Sequence, residues 1–207
     1  MRLYITRHGQ TIWNLERRYQ GQGDSPLTEG GERQARLLAG RLDAVPLDAV
    51  YSSDQRRAWR TAEMAIAGRA LAVTHDPAWR ERAYGDWEGM TRPEIAERFP
   101  EQWRVHRADR AGSKPPGGES LLEVQQRVLA ALAALRERHA HQNVLVVTHG
   151  GTLWVLACTL HGDDLATSQR PYLANCGLSV LHWAAGEVVV ECWDDVAHLP
   201  TGDDAAV

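Results

Sequence analysis

Short apolar runs alternate along the chain with stretches in which apolar residues recur every three or four positions. Runs of the first kind predict strands. They fall at Leu3–Thr6, Ala49–Ser52, Val144–Thr148, Leu178–Trp183 and Val188–Cys192, with a further short strand around Leu71–Thr74. The last two long runs are separated by the sequence AAGE, which predicts a hairpin.

The stretches with helical periodicity predict helices over Thr28–Asp43, Gln55–Ala67 and Ser120–His139. The third is the clearest, because Ser120 and Glu123 form a capping box in front of a broad apolar face. Thr91 and Glu94 have the same spacing and indicate another capped helix. Three histidines near helix ends and turns are expected at the surface: His139, His141 and His161.

This order of strands and helices predicts an α/β fold, a three-layer α/β/α sandwich with a mostly parallel central sheet. A length of 207 residues suits one domain over the whole chain, 1–207. Segment 83–118 interrupts the alternation, since it has few apolar residues, several arginines and the turn-rich sequence GSKPPGGES. We expect it to form a small lid-like insertion on the surface.

The composition restricts the partners and the location. A net charge of −4 lacks the basic footprint of a nucleic-acid-binding protein. No apolar run approaches the length of a membrane span, and the chain starts directly with a strand pattern instead of a signal segment. The three cysteines (Cys158, Cys176 and Cys192) fit no zinc or redox spacing. We therefore expect a cytoplasmic protein that binds neither nucleic acid nor membranes.

Two of the predicted strands end in a histidine followed by glycine. The sequence RLYITRHGQTIWN places Arg7 and His8 at the end of the first strand, and NVLVVTHGGTLW places His149 at the end of a later one. Ligands of such sheets bind outside the carboxyl ends of the strands, so the two histidines are expected to meet there. A neutral imidazole can take up a phosphoryl group, and an adjacent guanidinium can hold its oxygens.

Two further loops carry groups suited to the same chemistry. The sequence SSDQRRAWRTAEM follows the second strand and offers Arg56, Arg57 and Arg60, one of which can complete a phosphate clamp. The sequence WRERAYGDWEG holds Glu81, Asp86 and Glu88, and a carboxylic acid beside a phosphate can protonate a departing alkoxide. The residues alone do not choose among the three carboxyl groups.

In their order along the chain, RHGQTIWN, YQGQGDSPLTEGGERQA, SSDQRRAWRTA, WRERAYGDWEG, PPGGES, VVTHGG, NCGLSV and DDVAHL resemble the histidine phosphatase superfamily, also called phosphoglycerate-mutase-like. The resemblance covers nearly the whole chain and is greatest to the small cofactor-independent phosphatases. It implies five catalytic residues: Arg7, His8, Arg57, Glu81 and His149. It also implies that substrate is bound by Arg7, Asn14, Gln20, Gly21, Arg57, Tyr84, His149 and Gly150.

The resemblance further implies a reaction that needs neither metal nor cofactor and acts on a small phosphorylated metabolite. His8, kept neutral by donating one ring proton to the backbone, would accept the phosphoryl group, and Glu81 would protonate the leaving oxygen. Water would then release phosphate from the phosphohistidine. Members of the family are monomers or homodimers, and the sequence leaves this choice open.

Three functions remain as alternatives. The first is a phosphatase acting on small phosphomonoesters, favoured because the stretch between Glu81 and His149 looks too short for the basic insertion of the mutases. The second is a phosphoglycerate mutase, which would use the same phosphohistidine and is favoured by Tyr84. The third is an inactive relative that only binds phosphorylated ligands, although His8 and Glu81 are both present.

Overall fold

The computed structural model describes residues 1–169, 171–184 and 187–200. In chain order the strands and helices are β1 (Arg2–Arg7), α1 (Ile12–Leu15), α2 (Glu29–Leu42), β2 (Ala49–Ser52), α3 (Arg56–Ala65), β3 (Val73–His75), α4 (Arg92–Arg98), α5 (Pro100–Ala108), α6 (Leu121–Arg138), β4 (Asn143–Thr148), α7 (Gly150–His161), β5 (Leu178–Ala184) and β6 (Glu187–Asp195). Single 3₁₀ turns lie at Pro77–Trp79 and Gly85–Trp87.

The strands form one six-stranded sheet in the order β3-β2-β4-β1-β5-β6. The first four strands in this order are parallel, whereas β5 runs antiparallel to β1 and to β6. The mostly parallel sheet is therefore confirmed, with an antiparallel hairpin at one edge. The predicted connection of that hairpin includes positions 185 and 186, which lie outside the described residues.

Helices cover both faces of the sheet because successive strand residues point to opposite sides. Leu3 and Ile5 of β1 pack in a core with α6 and α7, whereas Tyr4 packs on the other face with α2 and α3. The same alternation in β4 places Val146 on the first face and Leu145 on the second. This confirms the three layers.

Two helices begin at the predicted capping residues, since Ser120 and Thr91 each form a full capping box. Thr28, where an earlier helix was predicted to begin, accepts a hydrogen bond from the third residue of that helix. Helix α5 was not predicted as a separate element. The expectation for His139 was wrong: its ring is buried, and it makes hydrogen bonds to Tyr51 at 2.9 Å and Gln142 at 2.6 Å.

Segment 83–118 contains α4 and α5 and has a small core of its own. Tyr84, Trp87 and Ile95 are buried there. Partly buried side chains pack around them, namely Tyr19, Met90, Phe99 and Trp103. The few apolar residues of this segment thus attach it to the loop after β1. That the whole chain is one domain, and that this insertion acts as a lid, stay predictions. No helix in the described parts of the chain is long and apolar enough to cross a membrane.

Candidate active site

The parallel pairing of β1 and β4 brings the two histidines together. Arg7 is in register with Thr148, so the residues that follow, His8 and His149, leave the same edge of the sheet side by side. The backbone N–H of His8 donates to the carbonyl oxygen of Thr148 at 2.9 Å. The two imidazole centroids are 5.2 Å apart. The fold therefore brings the two side chains together, as the sequence predicts.

The imidazole of His8 is buried and has one ring nitrogen occupied. Nδ1 lies 2.7 Å from the carbonyl oxygen of Gly9, which can only accept, so Nδ1 carries the proton. Nε2 then keeps its lone pair. Burial, followed by the charges of Arg57 and Arg7, holds the pKa of His8 well below its ordinary value. The ring is therefore neutral at pH 7 and can act as a nucleophile.

His149 lies deeper than His8 and is fully buried. Neither of its ring nitrogens has a hydrogen-bond partner among the residues that the structure describes. Burial lowers its pKa well below the ordinary value, and Arg57 and His8 lower it further. A buried imidazole with no partner is costly in a folded protein and indicates a position that a polar ligand completes.

Two guanidinium groups lie beside the histidines. Arg57 is 1% exposed and donates to the carbonyl oxygens of Gly21 at 2.7 Å and Gly23 at 2.8 Å. Burial lowers its pKa to about 10, so it stays charged at neutral pH. Arg7 donates to the carbonyl oxygen of Leu173 at 2.5 Å. Both side chains are thus held by backbone acceptors.

The other two arginines of the same motif lie elsewhere. Arg60 is paired with Glu63 at 2.9 Å on the outer side of α3, and Arg56 is exposed. Neither lines the cleft in front of His8, whereas Arg57 does. The helical period places Arg56 and Arg60, which are four residues apart, on the same side of α3, whereas Arg57 is turned about 100° from Arg56 and faces the cleft.

Glu81 lines the cleft and is held by backbone N–H groups. One carboxylate oxygen accepts from Gly151 and the other from Arg82, both at 2.8 Å. Gly151 lies in the first turn of α7, and a Cβ there would come within 2.2 Å of the Glu81 carboxylate. The second glycine of VTHGG is therefore needed for this close approach.

Glu88 has a different role. Its carboxylate accepts from the backbone N–H groups of Gln22 at 2.8 Å and Tyr84 at 3.0 Å, which ties the insertion to the loop after β1. It is absent from the residues that line the described cleft. The geometry favours Glu81 over Glu88 as the acid beside the histidines.

The cleft has a volume of about 1260 Å³ and is lined by all five of the remaining residues predicted to bind substrate: Asn14, Gln20, Gly21, Tyr84 and Gly150. His149 is not among its lining residues. Asn14 accepts hydrogen bonds at Oδ1 from the backbone N–H and the hydroxyl of Thr11, both at 3.0 Å. Its Nδ2 has no partner in the described chain, so the donor end of the amide is presented to the cleft.

Sequence reasoning missed Asn175. This side chain is 2% exposed, lines the cleft and donates from Nδ2 to the carbonyl oxygen of His8 at 2.8 Å and to Oδ1 of Asn14 at 3.4 Å. It precedes β5, and because β5 is antiparallel to β1 its start lies at the carboxyl end of β1. A polar residue just before a strand, in NCGLSV, was the only available signal.

Arg82 was also missed. It is 2% exposed, lines the cleft and donates to the carbonyl oxygens of Glu119 at 2.7 Å and Ser113 at 2.9 Å. Its guanidinium lies 5.4 Å from the ring centre of Tyr84. It therefore joins the insertion to the start of α6 while adding positive charge to the cleft. No group of three or more His, Cys, Asp or Glu side chains among the described residues is arranged to hold a metal ion.

Comparison with known proteins gives a consistent result. The family model of the histidine phosphatase superfamily (branch 1) matches residues 3–196. A probable phosphoglycerate mutase, GpmB, of Yersinia enterocolitica is 38% identical over 206 residues, covering 96% of this chain and 95% of that protein.

Solved structures resemble the whole chain. The structure of Bacillus stearothermophilus YhfR has a TM-score of 0.89 and 39% identity, and the match covers 95% of this chain and 98% of that one. A mycobacterial glucosyl-3-phosphoglycerate phosphatase, solved with VO3, has a TM-score of 0.82 and 32% identity, with 94% and 98% covered.

Proposed function

Since the chain belongs to the histidine phosphatase superfamily (branch 1), we propose that it hydrolyses small phosphomonoesters through a phosphohistidine on His8. The observation that carries this proposal is the hydrogen bond from Nδ1 of His8 to the carbonyl oxygen of Gly9, at 2.7 Å. It fixes the tautomer in which Nε2 keeps the lone pair that attacks phosphorus. The comparisons support the class of substrate, because the mycobacterial neighbour is a phosphatase.

In the first step, Nε2 of His8 forms a bond to phosphorus as the bond from phosphorus to the ester oxygen breaks. Negative charge on the three remaining phosphate oxygens is matched by Arg7, Arg57 and His149. Nε of Arg57 and both ring nitrogens of His149 are buried without a partner in the described chain. Nε of Arg57 and the one protonated ring nitrogen of neutral His149 are therefore available to donate to those oxygens. Loss of one such donor is expected to lower the rate by roughly 10²–10³.

Glu81 transfers protons in both steps. It gives a proton to the ester oxygen as that oxygen leaves, and its carboxylate then accepts a proton from the water that attacks phosphorus. The second attack breaks the P–N bond, releases phosphate and restores neutral His8. The backbone hydrogen bonds from Gly151 and Arg82 hold the carboxylate in place between the two steps.

The leaving group tests the role of Glu81. Glu81→Gln should lower kcat on alkyl phosphates by roughly 10²-fold or more. On p-nitrophenyl phosphate the loss should be much smaller, because nitrophenolate leaves without a proton. Steady-state kinetics on both esters measures the ratio of the two losses in kcat. The phosphohistidine is tested separately: the unmodified protein should carry acid-labile phosphate, and His8→Ala should carry none.

Glu88→Gln is the matched control, since Glu88 belongs to the same loop motif. It should change the rates on the two esters by the same factor, because Glu88 holds the loop and does not face the cleft. A leaving-group dependence seen in Glu88→Gln instead of Glu81→Gln would reassign the proton donor.

A second candidate function is a phosphoglycerate mutase. The observation that favours it is the 38% identity to the probable mutase of Yersinia enterocolitica. Incubation with 3-phosphoglycerate and catalytic 2,3-bisphosphoglycerate separates the two activities. A hydrolase releases inorganic phosphate without isomer, whereas formation of 2-phosphoglycerate faster than phosphate release would establish the mutase.

A further inference from the structure

Gln55 lies immediately before α3, at the position where a side chain commonly accepts a hydrogen bond from the first turn of the helix. The side chain of Gln55 makes no such bond. It is only 9% exposed, and it is not among the residues that line the described cleft. A buried amide carries polar atoms that need partners, so its hydrogen bonds show what it does in the fold.

The amide of Gln55 joins three segments that meet in front of His8. Its Nε2 donates to the carbonyl oxygen of Gly21 at 2.9 Å, in the loop after β1. Its Oε1 accepts from Nη2 of Arg57 at 3.2 Å and from the backbone N–H of Glu81 at 3.1 Å. The two donors cannot accept and the carbonyl oxygen cannot donate, so the orientation of the amide is determined.

The contact with Arg57 orients the guanidinium and leaves its charge available. The acceptors of this guanidinium in the described chain are three neutral oxygens: the carbonyl oxygens of Gly21 and Gly23 and Oε1 of Gln55. A carboxylate in the place of the amide would pair with Arg57 and compete with a phosphate for the same donors. A neutral acceptor therefore suits a group that binds a phosphate dianion.

The contact with Glu81 fixes the backbone from which the carboxylate extends. Two other backbone N–H groups, those of Gly151 and Arg82, hold the carboxylate itself at 2.8 Å. One oxygen atom of Gln55 thus accepts both from the phosphate clamp and from the residue that carries the acid. Because Oε1 is shared, a change at this atom displaces the two groups relative to each other.

A second bridge joins the same three segments closer to the surface. Arg80 donates to Asp54 at 2.7 Å and to Gln22 at 3.2 Å. The side chains of Arg80 and Asp54 are 38% and 24% exposed. Since this outer bridge already holds the segments together, the distinctive feature of Gln55 is its contact with the clamp and with the residue that carries the acid.

We propose that Gln55 is a positioning residue of the reaction, because its one amide oxygen sets the place of the Arg57 guanidinium relative to Glu81. The inference rests on the proposed function and deepens it. Gln55 does not touch the substrate: it acts through the donor that binds the phosphate oxygens and through the residue that protonates the leaving oxygen. Loss of its amide should therefore change both phosphate binding and the dependence of the rate on the leaving group.

Gln55→Leu removes the amide and keeps an apolar side chain of similar size. Inorganic phosphate should bind roughly tenfold more weakly in calorimetry, as expected when a hydrogen bond to a charged group is lost. The loss in kcat on glycerol 3-phosphate should exceed the loss on p-nitrophenyl phosphate by roughly tenfold, because the acid is displaced and nitrophenolate leaves without a proton. A side chain that only stabilised the fold would change neither the phosphate dissociation constant nor the ratio of the two rates.

Gln125→Leu is the matched control. Gln125 donates from Nε2 to the hydroxyl of Thr159 at 2.9 Å, a bond that joins α6 to α7, and neither residue lines the described cleft. Gln125→Leu should lower the melting temperature and leave the phosphate dissociation constant and the ratio of the two rates unchanged. The same outcome in Gln55→Leu, in a protein that hydrolyses both esters, would overturn the inference and leave the proposed function standing. No hydrolysis of either ester by the unmodified protein would reject both.

Combined variants show whether Gln55 acts through the two groups that it contacts. If it does, Gln55→Leu should cause no further loss of phosphate affinity in Arg57→Ala and no further change in the ratio of the two rates in Glu81→Gln. Independent effects in either background would contradict the inference, since Gln55 would then act by another route.

Gln55→Glu carries the test if Gln55→Leu does not fold, which thermal melting shows. Its carboxylate should weaken phosphate binding, because it pairs with Arg57. The ratio of the two rates should stay that of the unmodified protein, because the backbone N–H of Glu81 keeps an acceptor. An unchanged phosphate dissociation constant, or a ratio that falls in favour of p-nitrophenyl phosphate, would reject the role of Gln55.

Discussion

In the proposed reaction, the protonation state of one side chain, His8, decides whether the site can attack phosphorus. Its Nδ1 is committed to the carbonyl oxygen of Gly9, and burial beside Arg57 and Arg7 disfavours a second proton. In the proposed reaction, the same guanidinium groups that disfavour the charged imidazole also attract the phosphate dianion. Nucleophile and clamp would then depend on each other, because burial and two fixed cations keep the imidazole neutral and the same cations bind its target.

Asn175 supports His8 from the backbone side, and we expect Asn175→Ala to lower kcat by roughly tenfold. The variant removes the donor to the buried carbonyl oxygen of His8 and one of the groups that orient Asn14. KM should change less than kcat, because the arginines remain. Steady-state kinetics on p-nitrophenyl phosphate measures both constants.

Asn143→Ala is the control for that variant. Asn143 also donates from its amide to a backbone carbonyl oxygen, that of Pro46 at 2.9 Å, but at the opposite edge of the sheet. Asn143→Ala should lower the melting temperature of the protein without changing kcat. Wild-type kcat in Asn175→Ala would show that the hydrogen bond to His8 does not position the nucleophile.

The elements around the site divide into a rigid frame and an attached insertion. Four parallel strands present their carboxyl ends to the cleft, and α3 and α7 begin there. The two ends of the insertion are joined to each other: the backbone N–H of Asp86 donates to the carbonyl oxygen of Pro116 at 3.0 Å, and that of Glu119 donates to the carbonyl oxygen of Ala83 at 2.9 Å. Tyr84 and Arg82 lie beside these two bonds, so the position of the insertion determines the shape of the cleft.

Gly85 makes this attachment possible, and Gly85→Ala is expected to displace the insertion. Its φ is +54°, and a Cβ would lie 2.0 Å from the carbonyl oxygen of Pro116. The left-handed backbone alone costs about 1–2 kcal/mol for an alanine. The clash adds to this, and KM should rise because Tyr84 and Arg82 move. Urea unfolding and steady-state kinetics measure the two effects.

Gly68→Ala is the matched control for strain without a clash. Gly68 has a φ of +84°, and a Cβ added there would meet no other atom within 4 Å. Gly68→Ala should lower the free energy of unfolding only by the cost of the left-handed backbone, and it should leave KM unchanged. If both variants were equally destabilised with the same KM, the contact of Gly85 with Pro116 would not hold the cleft in shape.

The neutral histidines of the site lower the free energy of unfolding of the whole molecule by an amount that depends on pH. Folding holds three histidines in neutral form, namely the buried His8 and His149 and the partly buried His106, and loss of solvent is the main cause that lowers the pKa of each. In the unfolded chain these imidazoles have an ordinary pKa of about 6.5. Below that pH the unfolded state binds protons that the folded state does not, so acid favours unfolding.

We therefore expect the free energy of unfolding to be highest above about pH 6.5 and to fall as the pH decreases from there. Each of these histidines contributes at most about 1.4 kcal/mol per pH unit, until the pH reaches its lowered pKa in the folded state. His149→Gln should reduce the slope between about pH 6.5 and 5, whereas His141→Gln, at an exposed position, should not. Urea unfolding across this range measures the slopes, and equal slopes in all three proteins would contradict the burial argument.

Most of the fold and the centre of the site could be predicted from local patterns. Strand and helix periods, together with the capping residues Thr91 and Ser120, indicated an α/β fold from the sequence alone. The rule that ligands bind at the carboxyl ends of parallel strands placed His8 near His149. These signals are available in sequence because they depend on spacing within one element or on the general geometry of such sheets.

Only the resemblance singled out Arg57 among the three clustered arginines and Glu81 in its loop. The tertiary structure gave the geometric reason, because it brings Arg57 and Glu81 to the cleft and leaves Arg56, Arg60 and Glu88 outside its lining. It also showed that Asn175 meets His8, 167 residues away along the chain, because β5 runs antiparallel to β1. It brought Arg107 and Arg110 to the same cleft as well. Contacts between distant segments depend on the direction of the strands and on how an insertion folds back onto the sheet. The periodicity of a single segment carries no information about either.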